Sequence, residues 1–147
     1  MAELKATGDE LLVAIDFSPC SLRALDAALE WRRGGTELTL LHVLDRIVID
    51  QITWIGLGTA DEVLARMRTR AENELARLVS ERAVAGVETM VVVGEPFVEI
   101  VKIANDLECD VIFIGIHGRE AGLKQLLFGG TAEKVLRGAN RPVLCVP

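Results

Sequence analysis

Apolar residues fall along this chain in two rhythms that alternate from end to end. Short unbroken apolar runs give way to longer stretches in which apolar residues recur every third or fourth position. The first run, Glu10 to Phe17 (ELLVAIDF), is followed by turn chemistry and predicts a buried strand. Ser18-Pro19 then sets a hydroxyl at an N-cap and a proline at a first helical position, starting a helix that runs to Arg33. Leu22, Leu25 and Leu29 share one face of it, Arg32 and Arg33 stand near its negative end, and Gly34-Gly35 stops it.

Thr36 to Val43 predicts a second strand. Ala60 to Ala83 predicts a long amphipathic helix, with Val63, Leu64, Met67, Ala71, Leu75, Leu78 and Val79 on its apolar side. Glu62–Arg66 and Arg70–Glu74 are spaced i,i+4 on the wet side. A third strand follows at Val87 to Val93, and a third helix opens at Gly94-Glu95-Pro96 and runs to about Leu107. Asp110 to Gly115, Gly130 to Ala139 and Pro142 to Val146 complete the series as strand, helix and strand. Runs such as VIFIG are apolar on both faces, which parallel strands covered by helices require. The expectation is one α/β domain with a twisted parallel sheet.

One stretch breaks the rhythm. LDRIVIDQITWIGLGT, residues 44–59, reads as a long connection too apolar for disorder, with Ile47, Val48, Ile49, Ile52, Trp54, Ile55 and Leu57. Three readings stay open: a flap packed on the domain, a partner-binding surface, or a ligand lid.

Charge and cysteine usage narrow the function classes. The 147 residues carry a net charge of −6, which argues against nucleic acid as a bulk partner but leaves room for a local anion site built from backbone N–H groups. Cys20, Cys109 and Cys145 are too widely spaced for a disulfide framework or a zinc site, and point to a reducing cytoplasm. The charged start, MAELKATGDELL, does not read as a signal peptide, and no apolar run approaches the roughly 20 residues of a membrane span.

A ligand of an open parallel sheet sits outside the carboxyl ends of the strands, where the winding reverses. Three segments can meet there: Ala14-Ile15-Asp16, His42-Val43, and the turn from Gly115 to Gly118. The first strand is followed by DFSPCS rather than GxGxxG, no Walker A loop occurs, and Asp16 alone is too few acids for a phospho-receiver. What remains is GIHGREAGLKQLLFGGT, Gly115 to Thr131. Its glycines permit close backbone approach, and Gly129-Gly130-Thr131 begins a helix whose amino end favours anions. Arg119 and Lys124 add local positive charge. Those glycines are equally turn formers, and both readings stand on the residues alone. So do two readings each for His117 (phosphate contact or solvent-facing turn) and Cys20 (redox thiol or packed side chain), while His42 reads as a satisfied core histidine and Cys145 as core.

At these residues the chain resembles the universal stress protein family. The resemblance rests on LLVAIDFS, LTLLHVLD, VGEPFVEIVKIANDLECDVIFIGIHG and GGTAEKVLRGANRPVLCVP, in that order and over nearly the whole length. It implies a single-domain, open, twisted five-stranded parallel sheet with helices on both faces, of the adenine nucleotide alpha hydrolase-like kind, and a dimer. The exposed edge of the C-terminal strand is where a second copy would pair, so a homodimer through that strand is expected. One branch of the family binds ATP through glycine, two residues, glycine, nine residues, glycine, then serine or threonine. Gly115 and Gly118 match the first half, but ten residues separate Gly118 from Gly129, and Gly130 stands where a hydroxyl belongs. Taking Gly130-Thr131 as the pair leaves eleven residues between. One extra loop residue costs little closure entropy, so the resemblance still implies ATP, with magnesium, as the ligand. Ala14, Ile15 and Val43 would line the adenine and Asp16 the ribose or base end, or Asp16 would merely cap the following helix. Gly115, Gly118, Gly129, Gly130 and Thr131 would hold the phosphates. No base, nucleophile and orienting group are gathered by the sequence, so any turnover is expected to be slow. The alternative is a dimeric interaction module that works through the apolar 45–60 segment without nucleotide.

Overall fold

A computed structural model describes residues 10–117 and 130–147. Its elements, in chain order, are β1 (Glu10–Ala14), α1 (Pro19–Trp31), β2 (Glu37–Asp45), α2 (Arg46–Trp54), α3 (Ala60–Glu81), β3 (Val87–Gly94), α4 (Pro96–Asp106), β4 (Val111–Gly115), α5 (Thr131–Gly138) and β5 (Val143–Val146). Among the described residues the strands form one parallel five-stranded sheet in the order β3-β2-β1-β4-β5. The chain winds outward from β1 to β3, then returns to lay β4 on the other flank of β1, so the winding reverses between β1 and β4.

Alternation along β1 divides the core. Leu11, Val13 and Ile15 face one layer, with Ala24, Leu25 and Ala28 of α1 and Leu75 and Leu78 of α3. Leu12 and Ala14 face the other, with Ile100 and Ala104 of α4 and Ala132 and Val135 of α5. The helices start where local chemistry starts them. The Ser18 hydroxyl caps α1 by accepting from Ser21 N at 3.2 Å. Thr59 caps α3 by accepting from Glu62 N, also at 3.2 Å.

Three expectations change. Residues 44–59 are not an irregular connection: β2 runs on to Asp45, which then caps the nine-residue helix α2 by accepting from Ile47 N at 3.0 Å. The helix tucks Ile49 and Ile52 against Leu44, Val63 and Ala71. The first strand ends at Ala14 rather than Phe17, because Phe17 turns to a left-handed φ of 64°. Cys145 is only half-buried, since β5 has a strand on one side only.

Candidate functional site

Because all the strands are parallel, the amino ends of the helices that follow them come to the same edge of the sheet. At the reversal this edge gathers the exits of β1 and β4 and the first turns of α1 and α5.

The β1 exit is held from several sides. Ile15 N donates to Leu41 O at 2.8 Å, and His42 Nδ1 lies 2.6 Å from Ile15 O. A carbonyl only accepts, so this nitrogen of His42 carries the proton. The His42 ring also meets the Phe17 ring at 4.8 Å between centroids. Phenylalanine seldom adopts a left-handed φ, and this contact packs the strained corner against β2. Asp16 Oδ1 accepts from Ser18 N at 2.9 Å and from the Ser18 hydroxyl. Both of these hydrogen bonds go to Oδ1, and the Asp16 side chain is half-buried. The turn-holding reading of Asp16 is seen in these contacts of Oδ1.

The sequence-predicted residues distribute as follows. Ala14 and Val43 pack on the α4–α5 side of the sheet, whereas the Ile15 side chain is buried on the α1–α3 side, leaving its backbone as the part that reaches the edge. Gly115 ends β4 under the first turn of α1. A Cβ there would lie 2.7 Å from Cys20 C and Cβ and 2.8 Å from Ser21 N. Its smallness is thus demanded by the approach of α1. Gly130 is the N-cap of α5, has φ −78°, and among the described residues has nothing within 4 Å of a built Cβ. Among the described residues no side chain caps α5, and Thr131 is exposed at its first position, so the first N–H groups of this helix have no partner within it. Gly118, Gly129, Arg119 and Lys124 lie outside the described residues. His117 contributes its carbonyl, 3.4 Å from the Ser18 hydroxyl, which ties the two exits together. Cys20 is buried at the second position of α1, with Arg23 Nη2 at 3.1 Å from its sulfur.

Sequence reasoning missed two residues that shape this edge. Ser18 was legible as a helix cap but not as the group that holds Asp16. His42 was legible as satisfied, but not as a clamp on the Ile15 carbonyl. Surface hollows elsewhere, on the outer side of α3 (Ala65, Arg66, Thr69, Arg70) and beside Trp31, are remote from it. Among the described residues no cluster of His, Cys, Asp or Glu is placed to hold a metal, and no helix is long and apolar enough to cross a membrane.

Residues 9–147 match the model of the universal stress protein family. The chain belongs to the universal stress protein family. It is 33% identical to the universal stress protein MJ0577 of Methanocaldococcus jannaschii, over 93% of each chain. It is 32% identical to the universal stress protein YxiE of Bacillus subtilis, over 94% of this chain and 98% of that one. The solved structure of MJ0577 superposes with a TM-score of 0.81 at 32% identity, covering 95% of both chains. A universal stress protein from Archaeoglobus fulgidus, solved in complex with dAMP, superposes with a TM-score of 0.66 at 28% identity over 94% of this chain and 97% of that one. These likenesses identify the sheet as that of the family's adenine nucleotide alpha hydrolase-like fold.

Proposed function

We propose that this universal stress protein binds an adenine nucleotide, with ATP the best fit, at the carboxyl edge between β1 and β4. The observation that carries the reading is the pairing of the half-buried Asp16 with the amino end of α5 at Gly130-Thr131, which no described side chain caps. A carboxylate of this kind accepts from ribose hydroxyls, and a bare helix amino end accepts phosphate. Ala14 and Val43 supply apolar surface for the base. The Ile15 N–H is taken by Leu41, and the second lone pair of the Ile15 carbonyl, whose first is taken by His42, is the acceptor left for the base. Gly118 and Gly129 complete the proposed cradle, which takes magnesium with the nucleotide rather than from protein ligands. The relative crystallised with dAMP supports the ligand class. In this reading the protein is a cytoplasmic stress-response regulator that binds its nucleotide rather than turning it over. It is a homodimer joined through β5, whose outer edge is unpaired among the described residues and whose residues are all half-buried.

Calorimetric titration with magnesium-ATP tests the site. Saturable heat is expected, with affinity reduced about tenfold or more in Asp16→Ala and in Thr131→Pro, which removes a donor N–H. No heat at millimolar nucleotide overturns the reading. Pro142 O and Val146 O accept from the β4 side, so by alternation the Cys145 N–H points to the outer edge. Light scattering tests the assembly: a dimer that becomes monomeric in Cys145→Pro supports pairing through β5, and a monomeric parent refutes it.

A further inference from the structure

Helix α2 is apolar on two sides. Its inner side, Ile49 and Ile52, fills the satellite core. On the outer side Ile47 and Trp54 stand seven positions apart, within about 20° of each other around the axis. Ile47 is exposed and Trp54 is 88% exposed. The turn that closes α2 folds back on it, with Gly56 N donating to Thr53 O and Leu57 N to Ile52 O, so the exposed Ile55 and Leu57 extend the patch. The scaffold is fixed: Asp45 caps the helix, the Thr53 hydroxyl donates to Ile49 O at 2.8 Å, and Ile49 is buried. A Trp side chain alone brings ~200 Å² of contact area, and apolar patches of several hundred Å² mark interaction sites.

The rim decides what covers it. Asp45 lies against Ile47 N, and the exposed Asp50 stands one turn after Ile47 and one turn before Trp54, on the same side of the helix. Glu62 Oε2 lies 3.3 Å from where a Gly58 Cβ would stand, next to Leu57, and Asp61 precedes it. From residue 45 to residue 62 four carboxylates face one guanidinium, Arg46. Arg66, a turn further along α3, lines the separate hollow on that helix. A second copy of this face would bring like-charged rims together. A membrane surface recruits helices whose polar faces carry Lys and Arg, and this rim has the opposite sign.

We propose that the outer face of α2 docks a basic amphipathic segment of another protein. Trp54 is its anchor, and the carboxylates of Asp45, Asp50, Asp61 and Glu62 select lysine and arginine on the incoming segment.

The test pans a randomised, helix-length peptide library on phage against the full chain, with parallel panning on Trp54→Ala. Sequences enriched on the parent are expected to carry net positive charge and apolar residues spaced three and four apart, with recovery at least tenfold lower on Trp54→Ala. An enriched peptide, synthesised, should shift Trp54 emission to the blue in a Trp31→Phe background. Its affinity should fall about tenfold when Asp50 and Glu62 are both replaced by Lys. Circular dichroism and urea unfolding check that these surface variants keep their fold. The proposal is overturned if nothing is enriched in a Trp54-dependent way, or if the enriched sequences are neutral or acidic. It is equally overturned if Trp54 shifts with protein concentration alone, which would make the occupant a second copy, or on anionic phosphatidylglycerol vesicles, which would make it a membrane.

Discussion

Replacing Glu10 by Gln should stabilise this protein at pH 8 and leave it unchanged at pH 4. Glu10 opens β1 directly across from Glu37 on β2, at the foot of the sheet. Burial, and then the hydrogen bond and charge of Glu37, push the Glu10 carboxyl up from 4.5 to about 7; the Thr39 hydroxyl works the other way, and Glu88 adds to the rise. Below 4.5 the carboxyl is protonated in both the folded and unfolded chain, and the pair costs nothing. Between 4.5 and 7 the unfolded chain ionises while the folded one keeps its proton, so stability falls as pH rises through that window. At about 1.36 kcal/mol per pH unit the fall has a ceiling of about 3 kcal/mol. Glu10 is half exposed, and solvent screening reduces the expected loss to about 1–2 kcal/mol. Glutamine keeps the shape and the donor of the protonated acid and cannot ionise. Urea unfolding of both proteins at intervals from pH 4 to pH 8 reads the effect. The two midpoints should coincide at the acid end and diverge steadily above pH 5. A constant offset at every pH would refute the argument, because it would assign the difference to packing rather than to a proton.

Gly115→Ala should cost about 2–3 kcal/mol, since its Cβ meets backbone atoms of Cys20 and Ser21 that no rotamer change can move; a thermal or urea midpoint within experimental error of the parent would show that α1 yields. Glu108→Gly should stabilise by about 1 kcal/mol, because Glu108 follows the end of α4 with φ 50° and is exposed, and glycine adopts that conformation without the side-chain clash; a loss of stability in the same assay refutes it. Gly130→Ser should add a few tenths of a kcal/mol as an N-cap and tighten magnesium-ATP roughly threefold to tenfold, since it places a hydroxyl at the amino end of α5, where a Cβ meets no described neighbour within 4 Å. Stability gained without any change in affinity would place the phosphates elsewhere. Burial pushes the Cys109 thiol up to about 11, so iodoacetamide at pH 8 should leave it unlabelled in the folded chain; rapid labelling of Cys109, mapped by mass spectrometry, would contradict its burial.

The strands and their order of appearance were legible because each is a short apolar run closed by turn residues, and such runs need helices on both faces. Helix α2 was not legible because its hydrophobicity is two-sided: Ile47 and Trp54 outside mask the period set by Ile49 and Ile52 inside. β-branched residues weaken its intrinsic helix preference as well. The one local signal was Asp45, a good cap hidden at the end of a strand. Cys145 was misplaced because an apolar strand does not say whether it has one neighbour or two; that depends on topology. The raised carboxyl of Glu10, set opposite Glu37, depends on β1–β2 register, which no local pattern fixes. At the candidate site, Asp16 and the glycines were visible as residue types. What could not be read was who approaches whom: that α1 presses on Gly115, and that His42 reaches back to Ile15.

The pressure of α1 on Gly115 also bears on how such sequences diverge. A descendant that gave up its nucleotide altogether would still need a glycine at this position to keep its first helix seated on the fourth strand. Gly130, with no described neighbour within 4 Å of a built Cβ, and the exposed Thr131 carry no such packing obligation. The first glycine of the loop is therefore a fossil of the scaffold, and the residues opening α5 are where loss or gain of a ligand would be written.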